Sequence, residues 1–137
     1  MYLIDTNIWL ERLLDQTKSE EVRRFLDQIS LDQLLITDFS FHSIGVILNR
    51  LGQRAGLLHF VQDVFLDGEV SLVSLEPFDM QRLVEVIDAF NLDFDDAYQY
   101  VAAEKYAAVL VSFDNDFNRT PGRKMTPAEI LETEDKP

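Results

Sequence analysis

The chain has 137 residues, 47% of them hydrophobic, which fits one folded domain with a buried core and excludes a disordered chain. It contains no cysteine, which excludes disulfides and thiolate metal sites. With 25 acidic against 12 basic residues, its formal net charge is −13, which disfavours a broad basic surface for phosphate backbones. The excess of acidic residues either keeps the protein soluble or includes a metal site, in which bound divalent ions offset the negative charge.

Short apolar runs alternate along the chain with longer segments whose apolar residues recur at helical spacing. In chain order they predict a strand at 2–4, helices at 8–14 and from Ser19, a strand at 34–37, helices at 41–51 and 57–66, a strand at 70–75, helices from Pro77 and from about 93 to 107, a strand at 108–111, and a short helix around 127–131. Asp38 or Ser40 is expected to cap the helix at 41–51, because both residue types are favoured at that position.

Strands that alternate with helices imply crossover connections and a parallel sheet covered on both faces. The expected fold is α/β, a three-layer α/β/α sandwich around a central parallel sheet of four to five strands. One domain is expected to span residues 1–137, with 132–137 as a frayed tail. Asp5 stands too early for a signal peptide, and no apolar run approaches the ~20 residues of a membrane span, so we expect a cytoplasmic protein without membrane contact.

Aspartates stand directly after three of the predicted strands and at the start of the helix that leads into the last one. They are Asp5 after the first strand, Asp38 after the second, Asp114 and Asp116 after the fourth, and Asp93, Asp95 and Asp96 at the helix start. In open parallel sheets, binding sites form outside the carboxyl ends of the strands. These acids are therefore expected to meet at one edge of the sheet.

Each aspartate alone has an ordinary structural explanation, as a helix cap, a partner of the helix dipole or a turn residue. Their convergence is harder to explain in this way, because like charges repel and raise each other's pKa values. A hard divalent cation relieves the repulsion, since Mg²⁺ and Mn²⁺ prefer oxygen ligands. Such ions serve phosphodiester hydrolysis by activating a water molecule and by stabilising charge on the phosphate.

Three segments carry a resemblance to a known family. The opening YLIDTN at 2–7 resembles the first motif of the PIN domain, the fold of the VapC-type toxins of bacterial and archaeal toxin–antitoxin pairs. DA at 96–97, on a helix that ends in EKYA at 104–107, resembles the third motif, and LVSFDNDF at 110–117 resembles the last. The order and spacing of these segments run the whole length of the chain.

The resemblance implies a Mg²⁺- or Mn²⁺-dependent ribonuclease, the toxin of a pair, with RNA as substrate and an antitoxin protein as partner. The implied catalytic metal ligands are Asp5, Asp96 and Asp114, with Asp116 as an auxiliary metal-binding acid. The residues implied to position a ligand or a water molecule are Thr6, Asn7 and Ser112. Small members of the family pair through their middle helices, so the resemblance also implies a homodimer through residues 41–51 and 57–66.

One position departs from the family pattern. The family carries a glutamate early in the helix after the second strand, and counting from Thr37 that place falls at Ser43, beside His42. Because this acid is missing, the sequence does not decide whether the protein binds a second metal or turns over substrate. The neighbouring His42 is either a metal ligand or an ordinary packed or solvated side chain. The alternative function is a degenerate, catalytically weak PIN domain that acts as a nucleic-acid or protein binding module.

Basic residues are few, but Arg119, Arg123 and Lys124 follow the last motif closely. They either grip phosphate next to the metal or belong to a solvated loop. A third class of protein, a phosphotransfer enzyme or receiver domain, also places acids at strand ends. The sequence disfavours it, because Asp5 is not followed by a second aspartate two residues on and no adjacent acid pair follows the first strand.

Overall fold

A computed structural model of the chain describes residues 1–122 and 124–134, and its centre is a five-stranded parallel sheet. The strands are β1 (Tyr2–Ile4), β2 (Leu34–Thr37), β3 (Ser71–Val73), β4 (Val109–Val111) and β5 (Lys124–Met125). They lie side by side in the order β3-β2-β1-β4-β5. The predicted α/β fold with a central parallel sheet is confirmed.

Seven α-helices connect and cover the strands of the described residues. They are α1 (Thr6–Leu13), α2 (Ser19–Gln28), α3 (Asp38–Arg50), α4 (Arg54–Val61), α5 (Met80–Phe90), α6 (Phe94–Lys105) and α7 (Pro127–Glu134). Single helical turns at Leu31–Gln33, Pro77–Asp79 and Asn115–Arg119 are 3-10 helices, and Gln62–Leu66 is a π-helical turn. The helix predicted at 57–66 therefore divides into α4 and this turn.

Alternate strand residues enter two separate cores, one on each face of the sheet. In β1, Leu3 packs with α5 and α6, whereas Ile4 packs with the helices of the opposite face. Burial on both faces explains why the three central strands, β1, β2 and β4, are largely continuous apolar runs. Trp9 of α1 is buried and packs edge-on against Phe60, with ring centroids 5.3 Å apart.

The residue that caps α3 is not one of the two predicted. The helix begins at Asp38, and its N-cap is Thr37, whose hydroxyl accepts a hydrogen bond from the Ser40 backbone N–H. The prediction that Asp38 or Ser40 caps the helix is therefore wrong. Thr37 ends the strand with extended backbone angles, which places its side chain at the cap before the chain reaches Asp38.

The C-terminal region differs from prediction at two places. β5 pairs with β4 through two residues that follow a Pro/Gly stretch, where no strand was predicted. α7 extends to Glu134, into the segment expected to fray, while residues 135–137 lie outside the described part of the chain. Among the described residues, no helix combines the length and apolar character needed to cross a membrane.

Candidate metal centre

The strand order brings the acids of distant motifs together. β1 lies beside β4, with Leu3 paired to Leu110, and the Asp5 backbone N–H donates to the Val111 carbonyl at 2.9 Å. Asp5 therefore leaves the sheet next to the turn that carries Asp114. The first turn of α6 reaches the same edge, so acids from three separate segments meet there.

One open pocket at this edge is lined by six aspartates, namely Asp5, Asp93, Asp95, Asp96, Asp114 and Asp116. Three of them, Asp96, Asp114 and Asp116, each place a carboxylate oxygen within 4.8 Å of the other two. Asp5 lines the same pocket but lies outside this tightest group. The predicted convergence is therefore present for these acids, with Asp116 more central and Asp5 less central than the sequence implied, whereas Asp38 does not line the pocket.

The crowding of acids in this pocket affects the pKa of Asp96. Its pKa is raised to about 7, first by partial burial and then by the charge of Asp114, with smaller effects from Asp93, Asp5 and Asp116. A carboxyl group with a pKa near neutrality in a cluster of acids is repelled by the neighbouring carboxylates when it is charged, and hydrogen bonds have not removed this repulsion. A divalent cation bound among these oxygens would remove it.

Asp5 has a different environment, because the protein already satisfies its carboxylate. The side chain is 7% exposed. Its Oδ1 accepts hydrogen bonds from the Thr6 backbone N–H at 2.8 Å and from Gln99 Nε2 at 3.0 Å, and its Oδ2 accepts one from the Ser112 hydroxyl at 2.7 Å. Burial raises the pKa of Asp5, and these hydrogen bonds partly offset that effect.

Gln99 connects this carboxylate to the neighbouring strand and helix. It is 1% exposed, its Oε1 accepts from the Thr37 hydroxyl at 2.7 Å, and its Nε2 donates to Ser40 Oγ at 2.7 Å as well as to Asp5. The amide therefore uses both its oxygen and its nitrogen in a buried network. Sequence analysis missed Gln99. The available signal was its place one helical turn after Asp96 on a helix whose other buried residues are mostly apolar.

The three predicted positioning residues hold protein groups in place. Ser112 Oγ accepts from the Asp114 backbone N–H at 3.0 Å while it donates to Asp5, so one hydroxyl joins two of the acids. Asn7 Nδ2 donates to the same Ser112 oxygen at 3.3 Å. Thr6 Oγ1 contacts Ser40 Oγ at 2.8 Å. Whether any of them also contacts a ligand stays a prediction.

The position of the missing glutamate faces the acid pocket. Ser43 lines it, together with Leu10 and Ile47, so α3 contributes no carboxylate here. His42 lies in a different groove between α3 and α4, and not among the acids. The structure thus gives no support for His42 as a ligand of the same metal.

Of the three basic residues predicted to bind phosphate, the structure describes Arg119 and Lys124, and these two lie in different places. Arg119 lies beside it, where its guanidinium contacts Asp116 at 2.9 Å and donates to the Asn91 carbonyl at 2.7 Å. Lys124 lines a separate cavity with Tyr100 and not the acid pocket. Arg123 lies outside the described residues. Phosphate binding therefore stays a prediction for Arg119, Arg123 and Lys124.

Comparison with known proteins agrees with this geometry. The PIN domain family model matches residues 2–123, nearly the whole chain. The protein therefore belongs to the PIN domain family, whose members are generally nucleases that use divalent metal. No curated protein sequence gave a significant match.

Solved structures with the same fold include several toxin–antitoxin proteins. A toxin–antitoxin complex from Klebsiella pneumoniae superimposes with a TM-score of 0.75 at 20% identity, covering 93% of this chain and 98% of that chain. VapC20 from Mycobacterium tuberculosis, a toxin that cleaves the sarcin–ricin loop, gives 0.77 at 14% identity, with 93% and 100% covered. FitAcB from Neisseria gonorrhoeae gives 0.72 at 18% identity, with 93% and 99% covered. At these identities the likeness shows the fold.

Proposed function

We propose that this protein is a metal-dependent ribonuclease that hydrolyses RNA phosphodiester bonds and acts as the toxin of a toxin–antitoxin pair in the cytoplasm. The observation that carries this proposal is the grouping of Asp96, Asp114 and Asp116 within 4.8 Å, beside Asp5, in a PIN domain. The toxin–antitoxin role is further supported by structures of the same fold that come from such pairs, one of which cleaves RNA.

The donor set fits Mg²⁺ or Mn²⁺. Every candidate ligand is a carboxylate oxygen, which hard divalent cations prefer, and no soft ligand lines the pocket. Asp96, Asp114 and Asp116 would hold the ion, with Asp5 as a further ligand from β1. When bound, such an ion supplies activation of a water molecule and stabilisation of negative charge on the phosphate.

The chain's own residues fix the spacing of the acids before any ion arrives. Ser112 links the Asp5 carboxylate to the backbone of Asp114, and Gln99 links Asp5 to the helix that carries Asp96. Because these bonds are buried, little reorganisation of Asp5 is needed when the ion binds. We infer that Ser112 and Gln99 are positioning residues, and that the acids are the groups in contact with the ion.

The direct test is cleavage of RNA by the purified protein. We expect cleavage with Mg²⁺ or Mn²⁺, no cleavage with EDTA, and loss of cleavage in Asp5→Asn and Asp114→Asn. Asp88→Asn is a matched control, because Asp88 is exposed on α5 and outside the pocket. Full activity of Asp114→Asn, or equal cleavage in EDTA, would rule out a metal-dependent nuclease at this site.

The second candidate is a binding module, and Ser43 at the wall of the pocket is the observation that favours it. In this case the domain binds nucleic acid or protein without efficient turnover. Calorimetry with Mn²⁺ separates the two functions, since absence of binding at millimolar metal favours the module. If Ser43→Glu brings cleavage to an inactive protein, the missing carboxylate was the cause.

The homodimer through α3 and α4 stays a prediction. Large apolar side chains are exposed on this side of the molecule, with Leu58 on α4 at 68% and Leu51 just after α3 at 55%. A second copy of the chain would cover them. Light scattering at micromolar concentration tests this, and we expect a dimer that Leu58→Asp converts to a monomer; a monomeric wild-type protein would exclude it.

A further inference from the structure

Three aromatic rings form a continuous surface beside the acid pocket. Phe39 and Tyr98 have ring centroids 6.2 Å apart, and Tyr98 and Phe94 have centroids 6.5 Å apart. Phe39 lines the acid pocket itself, and the two residues that flank Phe94 in sequence line it as well. Phe94 is 55% exposed. We call these residues, Phe39, Tyr98 and Phe94, the ring cluster.

The ring cluster is held in place by its middle member. Tyr98 follows Phe94 by one helical turn on α6, which places the two on the same face of the helix. Its hydroxyl donates to Asp38 Oδ1 at 2.8 Å and accepts from the Leu75 backbone N–H at 3.0 Å. Because the hydroxyl of Tyr98 anchors its ring, the exposed Phe94 ring has a fixed aromatic neighbour, and an accessible aromatic ring suits the stacking of a flat ligand.

The charge of the neighbouring residues determines which part of a nucleotide can lie on the ring cluster. The exposed aspartates Asp38, Asp93 and Asp95 stand next to the ring cluster in sequence and in space, so a phosphate lying on the rings would meet repulsion. An uncharged base meets none, and every base has a face that stacks on an aromatic ring. The phosphate is then drawn to the acid cluster, where a divalent ion offsets the negative charge.

We propose that the ring cluster binds an unpaired base of the RNA substrate by stacking on Phe94, which makes Phe94 a specificity-determining residue of this chain. This rests on the proposed function, because the phosphate next to the stacked base is the one presented to Asp96, Asp114 and Asp116. Bases inside a duplex are already stacked and paired, so they cannot lie on Phe94 without being pulled out. The exposed Phe94, together with the partly buried Phe39 and Tyr98, rather than a basic surface, thus supplies the base contact of this acidic protein.

The test compares RNA binding by four proteins: wild type, Phe94→Ala, Phe94→Trp and Phe78→Ala. Phe78 is the matched control, because it is 74% exposed and contacts Lys105 away from the acid pocket. The probe is a labelled single-stranded oligoribonucleotide of mixed sequence, with Ca²⁺ as the divalent ion, followed by fluorescence anisotropy at two salt concentrations. Mn²⁺ calorimetry on each variant checks that the metal site is unchanged.

We expect Phe94→Ala to weaken single-strand binding roughly 5- to 100-fold, the range that one stacked base contributes. Phe94→Trp keeps the affinity, Phe78→Ala equals wild type, and a blunt RNA duplex binds more weakly than the single strand. Wild-type affinity in Phe94→Ala, or equal affinity for the duplex, would overturn the proposal and leave the ring cluster to a protein partner or to no ligand.

The outcomes also separate this inference from the proposed function. If wild type binds single strands through Phe94 but does not cleave them with Mn²⁺, the nuclease is wrong and the ring cluster stands. If RNA is cleaved with Mn²⁺ and cleavage is insensitive to Phe94→Ala, the nuclease stands and the ring cluster is wrong.

Discussion

The floor and the rim of the acid pocket are built in opposite ways. The floor is Asp5 with Gln99 and Ser112, a buried set in which the carboxylate has three hydrogen-bond donors. The rim is Asp96, Asp114 and Asp116, each with a carboxylate oxygen within 4.8 Å of the other two. Partial burial, and then the charge of Asp114, raises the pKa of Asp96 to about 7. Hydrogen bonds within the protein partly offset the burial of the floor carboxylate, whereas the rim is left with repulsion that a bound cation would remove. This difference is what we expect when a site is shaped in advance for a ligand.

The largest expected effect comes from neutralising the rim. Asp96→Asn removes a candidate ligand, so RNA cleavage should fall at least about 100-fold, the scale on which metal and electrostatic stabilisation of a transition state operate. The same change removes repulsion, so the metal-free protein should not lose stability. Cleavage rates and denaturant unfolding measure the two effects. Unchanged cleavage by Asp96→Asn would remove this residue from the catalytic set.

The second effect comes from breaking the floor. Gln99→Leu removes the acceptor of the buried Thr37 hydroxyl and one of the two donors to Asp5 Oδ1, so we expect a loss of about 2–4 kcal/mol in the free energy of unfolding. Gln81→Leu on the exposed side of α5 is the control and should change little. Denaturant unfolding in EDTA provides the measurement, and equal stability of the two variants would show that the network contributes nothing.

The third effect is a pH dependence of stability that belongs to the rim. The pKa of Asp96 in the folded protein, about 7, lies above its ordinary value of 3.8, so its stabilising contribution is complete below about 3.8 and is lost as pH rises through 7. In EDTA we expect unfolding temperatures to fall from pH 4 to 8 more steeply in wild type than in Asp96→Asn. Because Asp96 is only partly buried, screening limits the gain of the variant at pH 8 to the order of 1 kcal/mol.

The opposite trend is expected for metal binding. Asp96 must lose its proton to bind a cation, so Mn²⁺ affinity should rise with pH up to about 7 and then level off. Titrations at three pH values in buffers of different ionisation enthalpy also report the proton released. A flat affinity between pH 6 and 8, with no proton released, would show that Asp96 is not a ligand.

The smallest effect concerns the ion pair between Arg119 and Asp116 of the rim. Arg119→Ala breaks the exposed contact with Asp116, which should alter stability by no more than about 1 kcal/mol. If Arg119 also contacts RNA phosphate, the salt slope of binding should decrease by about one. An identical slope in the variant would leave Arg119 with a structural role alone.

Much of the fold was predictable because the strands are buried on both faces. Leu3 and Ile4 point to different cores, so β1 had to be apolar at consecutive positions, and this pattern is visible in the sequence. β5 was not predictable, because a two-residue strand after a Pro/Gly stretch carries no periodicity. The cap of α3 was misassigned because Thr37 belongs at once to the strand end and to the helix start.

The sequence predicted which residues form the site better than it predicted how their side chains are arranged. Asp5, Asp93 and Asp114 all accept a hydrogen bond from a backbone N–H of the turn or helix that each precedes, so the structural explanation of these residues as caps holds as well. An aspartate can cap a helix or turn and also line the shared pocket. Only the order of the strands in the sheet shows which capping aspartates lie close together. The contacts of Gln99 and of the ring cluster depend on packing between α6 and distant segments, which sequence patterns do not reveal.

Binding of Mn²⁺, followed by the paramagnetic resonance signal of the free ion at pH 7.5, tests most directly whether the rim holds a cation. We expect wild type to remove Mn²⁺ from solution in a saturable way, Asp114→Asn to bind far more weakly, and Asp88→Asn to match wild type. Equal binding by wild type and Asp114→Asn, or none by either at millimolar ion, would contradict a metal centre formed by Asp96, Asp114 and Asp116.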